Sequence, residues 1–243
     1  MGNAKESLSA LTELINENEH ENWLAKFRNL EKEEFDEVVK DDLNPTTELM
    51  TMGEVMDKIN LHSDQKNIIV TDVGQHQMVA CRYAKFKQTR SLITSGGSGT
   101  MGFCLPAAIG AKMGRPDAQV IGIIGDGGFQ MTIQELGTIF QFKTAVKIVV
   151  MNNEFLGMVR QWQELFFEKR YASTTMVNPD FQMIVKGYGI KTKKVVKRED
   201  LETAVKEMLA HEGSYFLEVM VEKENNVFPM IPTGASVSEI RLK

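Results

Sequence analysis

The chain has 243 residues, of which 42% are hydrophobic and 25% are charged, and its net charge at pH 7 is −5. This composition is ordinary for a globular protein with one substantial core. The sequence has no apolar run of 18 residues and begins with a polar segment, so we expect neither a membrane span nor a secretion signal and predict a cytoplasmic location. Two cysteines are too few for a disulfide framework, so Cys81 and Cys104 are both predicted to be small buried hydrophobic residues.

The first 45 residues differ from the rest in charge. They hold twelve acidic and five basic residues, a net charge of −7, so residues 46–243 carry +2. Apolar residues recur at helical spacing in two groups, residues 8–15 and 23–30. We predict a short helical extension without a core of its own in residues 1–45 and one domain in residues 46–243. The weakly positive, unclustered charge of that domain gives no reason to expect nucleic acid as a partner.

Short apolar runs alternate with helix-length segments from residue 46 onward. The predicted buried strands are residues 67–74, 91–97, 119–128, 146–153 and 214–222. The predicted helices are residues 76–86, 105–114, 132–142, 158–170 and 198–213. Apolar strands with helical crossovers indicate an α/β fold, doubly wound, with a mostly parallel sheet covered on both faces. Ligands bind such sheets beyond the carboxyl ends of the strands, where Gly, Asp and Asn gather in this sequence.

One glycine motif suggests a dinucleotide site. Residues 97–102, GSGTMG, match the GxGxxG pattern of such sites. The supporting acid should end the next strand, but Asp117 precedes that strand. We therefore interpret the motif as a glycine-lined approach to a different ligand.

A second group of glycines surrounds an acid at the end of a predicted strand. The motif GDG contains Asp126, and NN follows at residues 152–153 after one predicted helix and one predicted strand. Neighbouring parallel strands end at one edge of a sheet, so these side chains are expected to lie together. A carboxylate and an amide suit Mg²⁺, which takes its other oxygen ligands from phosphate and water. Gly125, Gly127 and Gly128 would let backbone N–H groups approach a diphosphate.

A helix expected to begin near Met131 or Thr132 would add its positive end to this anion site. The alternative interpretation is a tight strand-to-helix turn at GDG and a simple turn at NN, without a ligand.

The GDG motif, its spacer and the NN motif resemble the signature of thiamine diphosphate enzymes. Residues 72–78, 94–111, 125–139 and 151–171 are similar to the large catalytic subunit of acetolactate synthases. This resemblance runs from about residue 46 to the C-terminal region and implies thiamine diphosphate and Mg²⁺ as cofactors. It implies Asp126, Asn153 and the backbone oxygen of Phe155 as metal ligands. Asn152 is then expected to serve the loop rather than the ion.

The same resemblance assigns roles to further residues. It places Gln75 and His76 against the diphosphate and Met101 beneath the bent cofactor. Met158 and Trp162 are expected in the channel for substrates and inhibitors. The full set of expected cofactor contacts is Gly74, Gln75, His76, Gly99, Met101, Gly125, Asp126, Gly127, Gly128, Asn153, Phe155, Leu156, Gly157 and Met158.

Three neighbours of Met158 and Trp162 receive plainer predictions. Leu165 and Phe166 continue the helical stripe and are predicted to be core. Arg160 lies off that stripe and is predicted to be an exposed charge.

The resemblance also implies an activity and partners. Acetolactate synthases decarboxylate pyruvate and transfer its two-carbon unit to a second 2-oxoacid, pyruvate or 2-oxobutyrate, in branched-chain amino acid synthesis. They are longer proteins that also have a pyrimidine-binding domain and a middle domain holding FAD. This chain is then expected to be the last domain, which does not bind FAD alone and lacks the activating glutamate. Residues 1–45 are then expected to be a helical linker or remnant of the middle domain. We expect a homodimer or higher homo-oligomer of the whole enzyme, with a possible small regulatory subunit.

Two other functions compete with this prediction. One is the diphosphate-binding domain of another thiamine diphosphate enzyme, such as an oxidase, a decarboxylase or an oxoacid oxidoreductase subunit; the segment GMVRQWQ favours the synthase. The other is a non-catalytic binding module of the same fold, against which the joint presence of Asp126 and Asn153 argues.

Overall fold

A parallel sheet forms the centre of the protein in the computed structural model, which describes residues 2–243. Its strands are β1 (Ile68–Thr71), β2 (Leu92–Ile93), β3 (Val120–Gly125), β4 (Val146–Asn152), β5 (Lys191–Val195) and β6 (Tyr215–Met220). They lie in the order β2-β1-β3-β4-β6-β5, and all neighbours are parallel. The predicted doubly wound α/β fold is confirmed.

Helices cover both faces of the sheet. The first four come before β1 in the chain, and the others lie between or after the strands. They are α1 (Ala4–Leu14), α2 (Glu21–Glu34), α3 (Lys40–Leu43), α4 (Met52–His62), α5 (Gln75–Tyr83), α6 (Cys104–Gly114), α7 (Asp126–Met131), α8 (Leu136–Phe142), α9 (Gly157–Phe166), α10 (Phe181–Gly187) and α11 (Arg198–Ala210). A π-helical turn, Phe35–Val39, joins α2 to α3, and a 3-10 turn, Ile133–Glu135, precedes α8. Within residues 2–243 no helix is both long and apolar enough to cross a membrane.

Alternate side chains of the strands enter two separate hydrophobic clusters. Ile121 and Ile123 of β3 pack on one face beneath α4, α5 and α11. Val120 and Ile124 pack on the other face beneath α6, α7, α8 and α10. Because successive strand residues point to opposite faces, a strand covered on both sides needs apolar residues at every position. This is why the central strands were readable as continuous apolar runs.

Strand β5 and helices α4, α7 and α10 have no counterpart in the predictions. Strand β5 lies at the sheet edge and has the charged sequence KTKKV, in which Lys191 and Lys193 pair with Glu207 of α11. Charged edge strands discourage pairing with other chains, but they lack the apolar run that identifies a buried strand. Helix α4 is capped by Thr51, whose hydroxyl accepts a hydrogen bond from the Glu54 N–H over 3.1 Å. The Thr-x-x-Glu pattern is a known helix-start signal that could have revealed this helix.

The N-terminal helices are exposed. In the described part of α1 and α2 no side chain is buried, and the first buried side chain along the chain is Val38. From there the chain contacts the domain through Asp42, whose carboxylate accepts a hydrogen bond of 2.6 Å from the Tyr83 hydroxyl. The predicted helices are present, and a domain boundary at residue 45 stays a prediction.

The prediction for the two cysteines is half right. Cys104 is buried at the start of α6 and donates to the backbone oxygen of Val70 over 3.1 Å. Cys81 is exposed, because α5 buries its neighbours Val79 and Ala80 against the sheet instead.

Candidate functional site

The candidate site lies where the strand order reverses. The chain passes from β1 to β2 on one side and then to β3 on the other side of β1. Crevices beyond the carboxyl ends of strands at such a reversal are the usual ligand sites of doubly wound sheets. A cavity opens there, and its walls follow β1, β3 and β4. It is lined by every residue predicted to contact the cofactor except Gly99.

Asp126 enters this cavity directly from the end of β3. It is the first residue of α7, because β3 passes into this helix without a loop, and α7 ends at Met131. The helix expected to begin near Met131 or Thr132 is present as the 3-10 turn from Ile133 that leads into α8, but the helix start beside Asp126 is that of α7. The Asp126 side chain is 2% exposed. Burial raises the pKa of Asp126 to about 6, while a hydrogen bond from Asn178 opposes the shift.

The two asparagines after β4 have different surroundings. In the sheet register Gly125 pairs with Met151, so the residues that follow β3 and β4 lie side by side. The Asn152 side chain accepts a hydrogen bond from the Glu154 N–H over 3.1 Å and donates one to Glu218 over 2.8 Å. It therefore stabilises the loop that follows β4. Asn153 lines the cavity with Asp126.

This donor set fits a hard cation held together with a ligand. Within residues 2–243 no three side chains of His, Cys, Asp or Glu converge into a metal site. Asp126, Asn153 and Phe155, which line one cavity, offer a carboxylate, an amide and a backbone oxygen. Mg²⁺ binds proteins through one or two carboxylates and completes its octahedral shell with phosphate and water oxygens. The residues present are therefore compatible with Mg²⁺ bound together with a diphosphate.

His76 supplies a polar atom in the cavity wall that lacks a protein partner. Its side chain is 6% exposed, and its buried Nε2 has no hydrogen-bond partner among the described residues. Burial lowers the pKa of His76 to about 4, so the ring is neutral at pH 7. A buried polar atom without a partner is rare in proteins and fits a group that a ligand satisfies.

The side chain of Gln75 is fully engaged with the protein. Its Nε2 donates to Oε1 of Gln161 over 2.9 Å and to the backbone oxygen of Asn225 over 3.2 Å. Its Oε1 accepts from Nδ2 of Asn153 over 3.4 Å. Gln75 thus orients the Asn153 amide, and its predicted contact with a diphosphate stays a prediction.

The glycines around Asp126 make room for protein side chains. A Cβ on Gly125 would lie 2.8 Å from Cε1 of His76, and a Cβ on Gly128 would overlap the carboxylate of Asp72. A Cβ on Gly127 would lie 2.9 Å from Cδ2 of Leu156, in the cavity wall. Clearance for phosphates was the reason inferred from the sequence; the structure adds a packing reason for all three.

Asp72 gives the GSGTMG segment a partner inside the protein. Its carboxylate accepts hydrogen bonds of 3.1 Å from the N–H groups of Gly102 and Phe103, just before α6. Burial raises the pKa of Asp72. In a dinucleotide site the pyrophosphate binds the N–H groups at a helix start of this kind. Here a protein carboxylate takes that position, and the segment carries Met101 into the cavity wall.

Met158 and Trp162, one helical turn apart on α9, have different surroundings. Met158 lines the cavity, whereas Trp162 lies outside the lining, is 39% exposed and packs on Phe166 with ring centroids 4.9 Å apart. The prediction that Leu165 and Phe166 are core is wrong, because both are half-buried and belong to neither cluster. The role of Trp162 in a substrate channel stays a prediction, as does the role of Gly99.

The buried face of α9 is polar. The prediction that Arg160 is exposed is wrong: its side chain is 6% exposed and pairs with Glu164 over 3.0 Å and with Glu224 over 2.7 Å. Gln161 is also buried and exchanges hydrogen bonds of 2.9 and 3.0 Å with the backbone of Val227. Arg160 and Gln161 are buried because they bind the C-terminal segment. The periodicity of the sequence does not reveal such long-range contacts.

The sequence matches one protein family over most of this site. The profile described as the C-terminal TPP binding domain of thiamine pyrophosphate enzymes matches residues 72–219. The chain belongs to the thiamine pyrophosphate enzymes. Thiamine pyrophosphate is the same compound as thiamine diphosphate, so the family expected from the GDG and NN motifs is confirmed.

Curated relatives in this family are large subunits of acetolactate synthase. The chain is 47% identical over 174 residues to isozyme 2 of Escherichia coli K12, covering 71% of this chain and 32% of that protein. It is 41% identical over 244 residues to the subunit of Lactococcus lactis IL1403, covering 99% of this chain and 41% of that one. The mitochondrial catalytic subunit of Saccharomyces cerevisiae is 40% identical over 91% of this chain and 32% of its own length. The chain therefore spans well under half of the length of these relatives.

A thiamine diphosphate enzyme of known structure shares the fold. The thiamine diphosphate-dependent 4-hydroxybenzoylformate decarboxylase of Rhodococcus jostii RHA1 superimposes with a TM-score of 0.67 at 27% sequence identity. The match covers 73% of this chain and 33% of that one.

Proposed function

We propose that this chain is the thiamine diphosphate-binding part of an acetolactate synthase. The observation that carries the proposal is the convergence of His76, Asp126 and Asn153 on one cavity at the strand-order reversal. The identity of 40% or more to three acetolactate synthase subunits favours this activity over that of the decarboxylase, to which the chain is 27% identical.

In this proposal the residues of the chain hold and orient the cofactor. Asp126, Asn153 and the backbone oxygen of Phe155 bind Mg²⁺, which in turn holds the diphosphate. The neutral ring of His76 donates its free N–H to a phosphate oxygen. Met101, which also lines the cavity, would support the cofactor by packing against it. When bound, thiamine diphosphate supplies the nucleophilic carbon and the electron sink for decarboxylation.

The rest of the proposed activity belongs to the whole enzyme. The substrates are pyruvate and a second 2-oxoacid, pyruvate or 2-oxobutyrate, and the product feeds branched-chain amino acid synthesis. We propose that the activating glutamate and FAD are held by other domains, that the enzyme is a homo-oligomer in the cytoplasm, and that a small regulatory subunit binds it. The purified chain is then expected to bind the cofactor and to form no acetolactate from pyruvate.

A chimaera tests this proposal. Residues 46–243 would replace the matching segment of the E. coli isozyme 2 large subunit, and acetolactate formation from pyruvate would be measured. We expect a folded, active chimaera whose activity is lost in its Asp126→Ala variant. A chimaera that folds and binds thiamine diphosphate but releases only acetaldehyde would contradict the synthase and favour a decarboxylase. Robust acetolactate formation by the 243-residue chain alone would contradict the need for other domains.

A further inference from the structure

The side-chain amide of Asn178 holds one oxygen of the Asp126 carboxylate. Its Nδ2 donates to Oδ2 of Asp126 over 2.7 Å and to Oδ1 of Asn152 over 3.1 Å. Its Oδ1 accepts from Nε2 of Gln130 over 2.8 Å. Because these partners use both N–H groups and the carbonyl oxygen, the amide can face Asp126 only with a donor.

The loop that carries Asn178 is tied to the cavity wall. Residues 174–176 pair with residues 154–156 through an antiparallel bridge between Phe155 and Thr175 and two backbone hydrogen bonds of 2.8 Å. Asn178 follows this pairing two residues later, although it is 52 residues from Asp126 in the sequence. Its position is therefore fixed by the segment that also presents the backbone oxygen of Phe155.

The engaged oxygen limits how a cation can bind Asp126. A cation that took both carboxylate oxygens would compete with the Asn178 amide for Oδ2. Mg²⁺ prefers single oxygens in octahedral geometry, whereas Ca²⁺ accepts six to eight ligands and often takes both oxygens of a carboxylate. A carboxylate held in this way suits Mg²⁺ better than Ca²⁺.

We propose that Asn178 is a positioning residue that makes Asp126 a ligand through one oxygen, and so selects Mg²⁺ over Ca²⁺ at the cofactor site. This rests on the proposed function, because it takes Asp126 as a ligand of the metal that binds with thiamine diphosphate. Removal of hydrogen bonds to metal-ligating side chains commonly lowers metal affinity by about 10- to 100-fold.

The experiment compares two metals in the presence of thiamine diphosphate. Mg²⁺ and, separately, Ca²⁺ are titrated calorimetrically into the full chain with excess thiamine diphosphate. Asn178→Ala is expected to lower the Mg²⁺ affinity by about 10- to 100-fold and the Ca²⁺ affinity much less, so that the preference for Mg²⁺ falls about tenfold or more. Gln130→Ala is expected to shift the preference in the same direction by a smaller factor, because it loosens the amide without removing it.

Asn60→Ala is the matched control. Asn60 is another buried asparagine, which donates to the backbone oxygen of Tyr83 over 2.8 Å and accepts from the Lys85 N–H over 3.0 Å, outside the cavity lining. Its variant should lose stability and keep the wild-type ratio of Mg²⁺ to Ca²⁺ affinity.

The outcomes separate this inference from the proposed function. If the wild-type chain binds no thiamine diphosphate with either metal, the proposed function fails and the role of Asn178 fails with it. If the wild type binds but Asn178→Ala keeps the wild-type ratio of affinities, only the role of Asn178 is overturned. If Asn178→Ala does not fold, an unchanged ratio in Gln130→Ala overturns it.

Discussion

The side-chain nitrogen of Gln75 donates to Oε1 of Gln161 over 2.9 Å, which joins the start of α5 to the buried face of α9. Gln75 also accepts from Asn153, and Gln161 exchanges hydrogen bonds with the backbone of Val227. A continuous set of buried amides therefore connects a proposed metal ligand to the C-terminal segment.

Removal of Gln161 should loosen both ends of this connection. We predict that Gln161→Ala lowers the affinity for thiamine diphosphate and Mg²⁺ by about 3- to 10-fold, since it removes hydrogen bonds that orient Gln75. It should also speed proteolysis of the segment around Val227. Calorimetry and limited proteolysis measure the two effects. Gln134→Ala, at an exposed glutamine, is the control and should change neither; equal behaviour of the two variants would contradict the role of Gln161.

Substitution of two glycines should have opposite effects on stability. Gly128→Ala forces a methyl group into the carboxylate of Asp72, so we predict a loss of about 1–3 kcal/mol in the free energy of unfolding. Gly110→Ala, inside α6, meets no atom within 4 Å and should gain about 0.5–1 kcal/mol through helix propensity. Urea denaturation measures both. Equal stability of Gly128→Ala and Gly110→Ala would contradict the close approach of the Asp72 carboxylate to Gly128.

The stability of the chain should depend on Lys147 at alkaline pH. Lys147 is 3% exposed, donates to the backbone oxygens of His211 and Gly213, and has its pKa lowered by burial from 10.5 to about 8. Between those values the unfolded chain binds a proton that the folded chain has released, so folding becomes more favourable as pH rises.

A comparison with Lys147→Met isolates this effect. The stability of the wild type relative to that variant should rise by about 2 kcal/mol between pH 7.5 and pH 9.5. Urea denaturation of both proteins at the two pH values measures the difference. A difference that stays constant or falls with pH would show that the lysine is not held in a costly charged state.

Much of the fold was predictable because burial on two faces leaves a simple pattern. Strands β3 and β4 have apolar residues at nearly every position, and their ends were marked by GDG and NN. Strand β5 was not predicted, because an edge strand buries only part of its surface and can have a charged sequence. Helix α4 was not predicted either, although Thr51 and Glu54 mark its start.

The site was predictable where one short motif contributes several residues, and not where partners arrive from elsewhere. Asp126 and Asn153 belong to motifs with a fixed spacing. Asn178 and Gln161 act through hydrogen bonds to residues 52 and 86 positions away, and no local periodicity encodes such contacts. The burial of Arg160 was not predicted for the same reason, since its partner Glu224 lies 64 positions further along the chain.

The central claim is that Asp126 binds a metal that holds thiamine diphosphate in this cavity. Its most direct test is calorimetric titration of thiamine diphosphate into the chain, with and without Mg²⁺, in the wild type, Asp126→Ala and Asp117→Ala. Asp117 is an exposed acid paired with Arg115, so its variant controls for loss of charge alone. We predict binding by the wild type and Asp117→Ala only with Mg²⁺, and a loss of about tenfold or more in Asp126→Ala. Binding that is equal with and without Mg²⁺, or unchanged in Asp126→Ala, would contradict the claim.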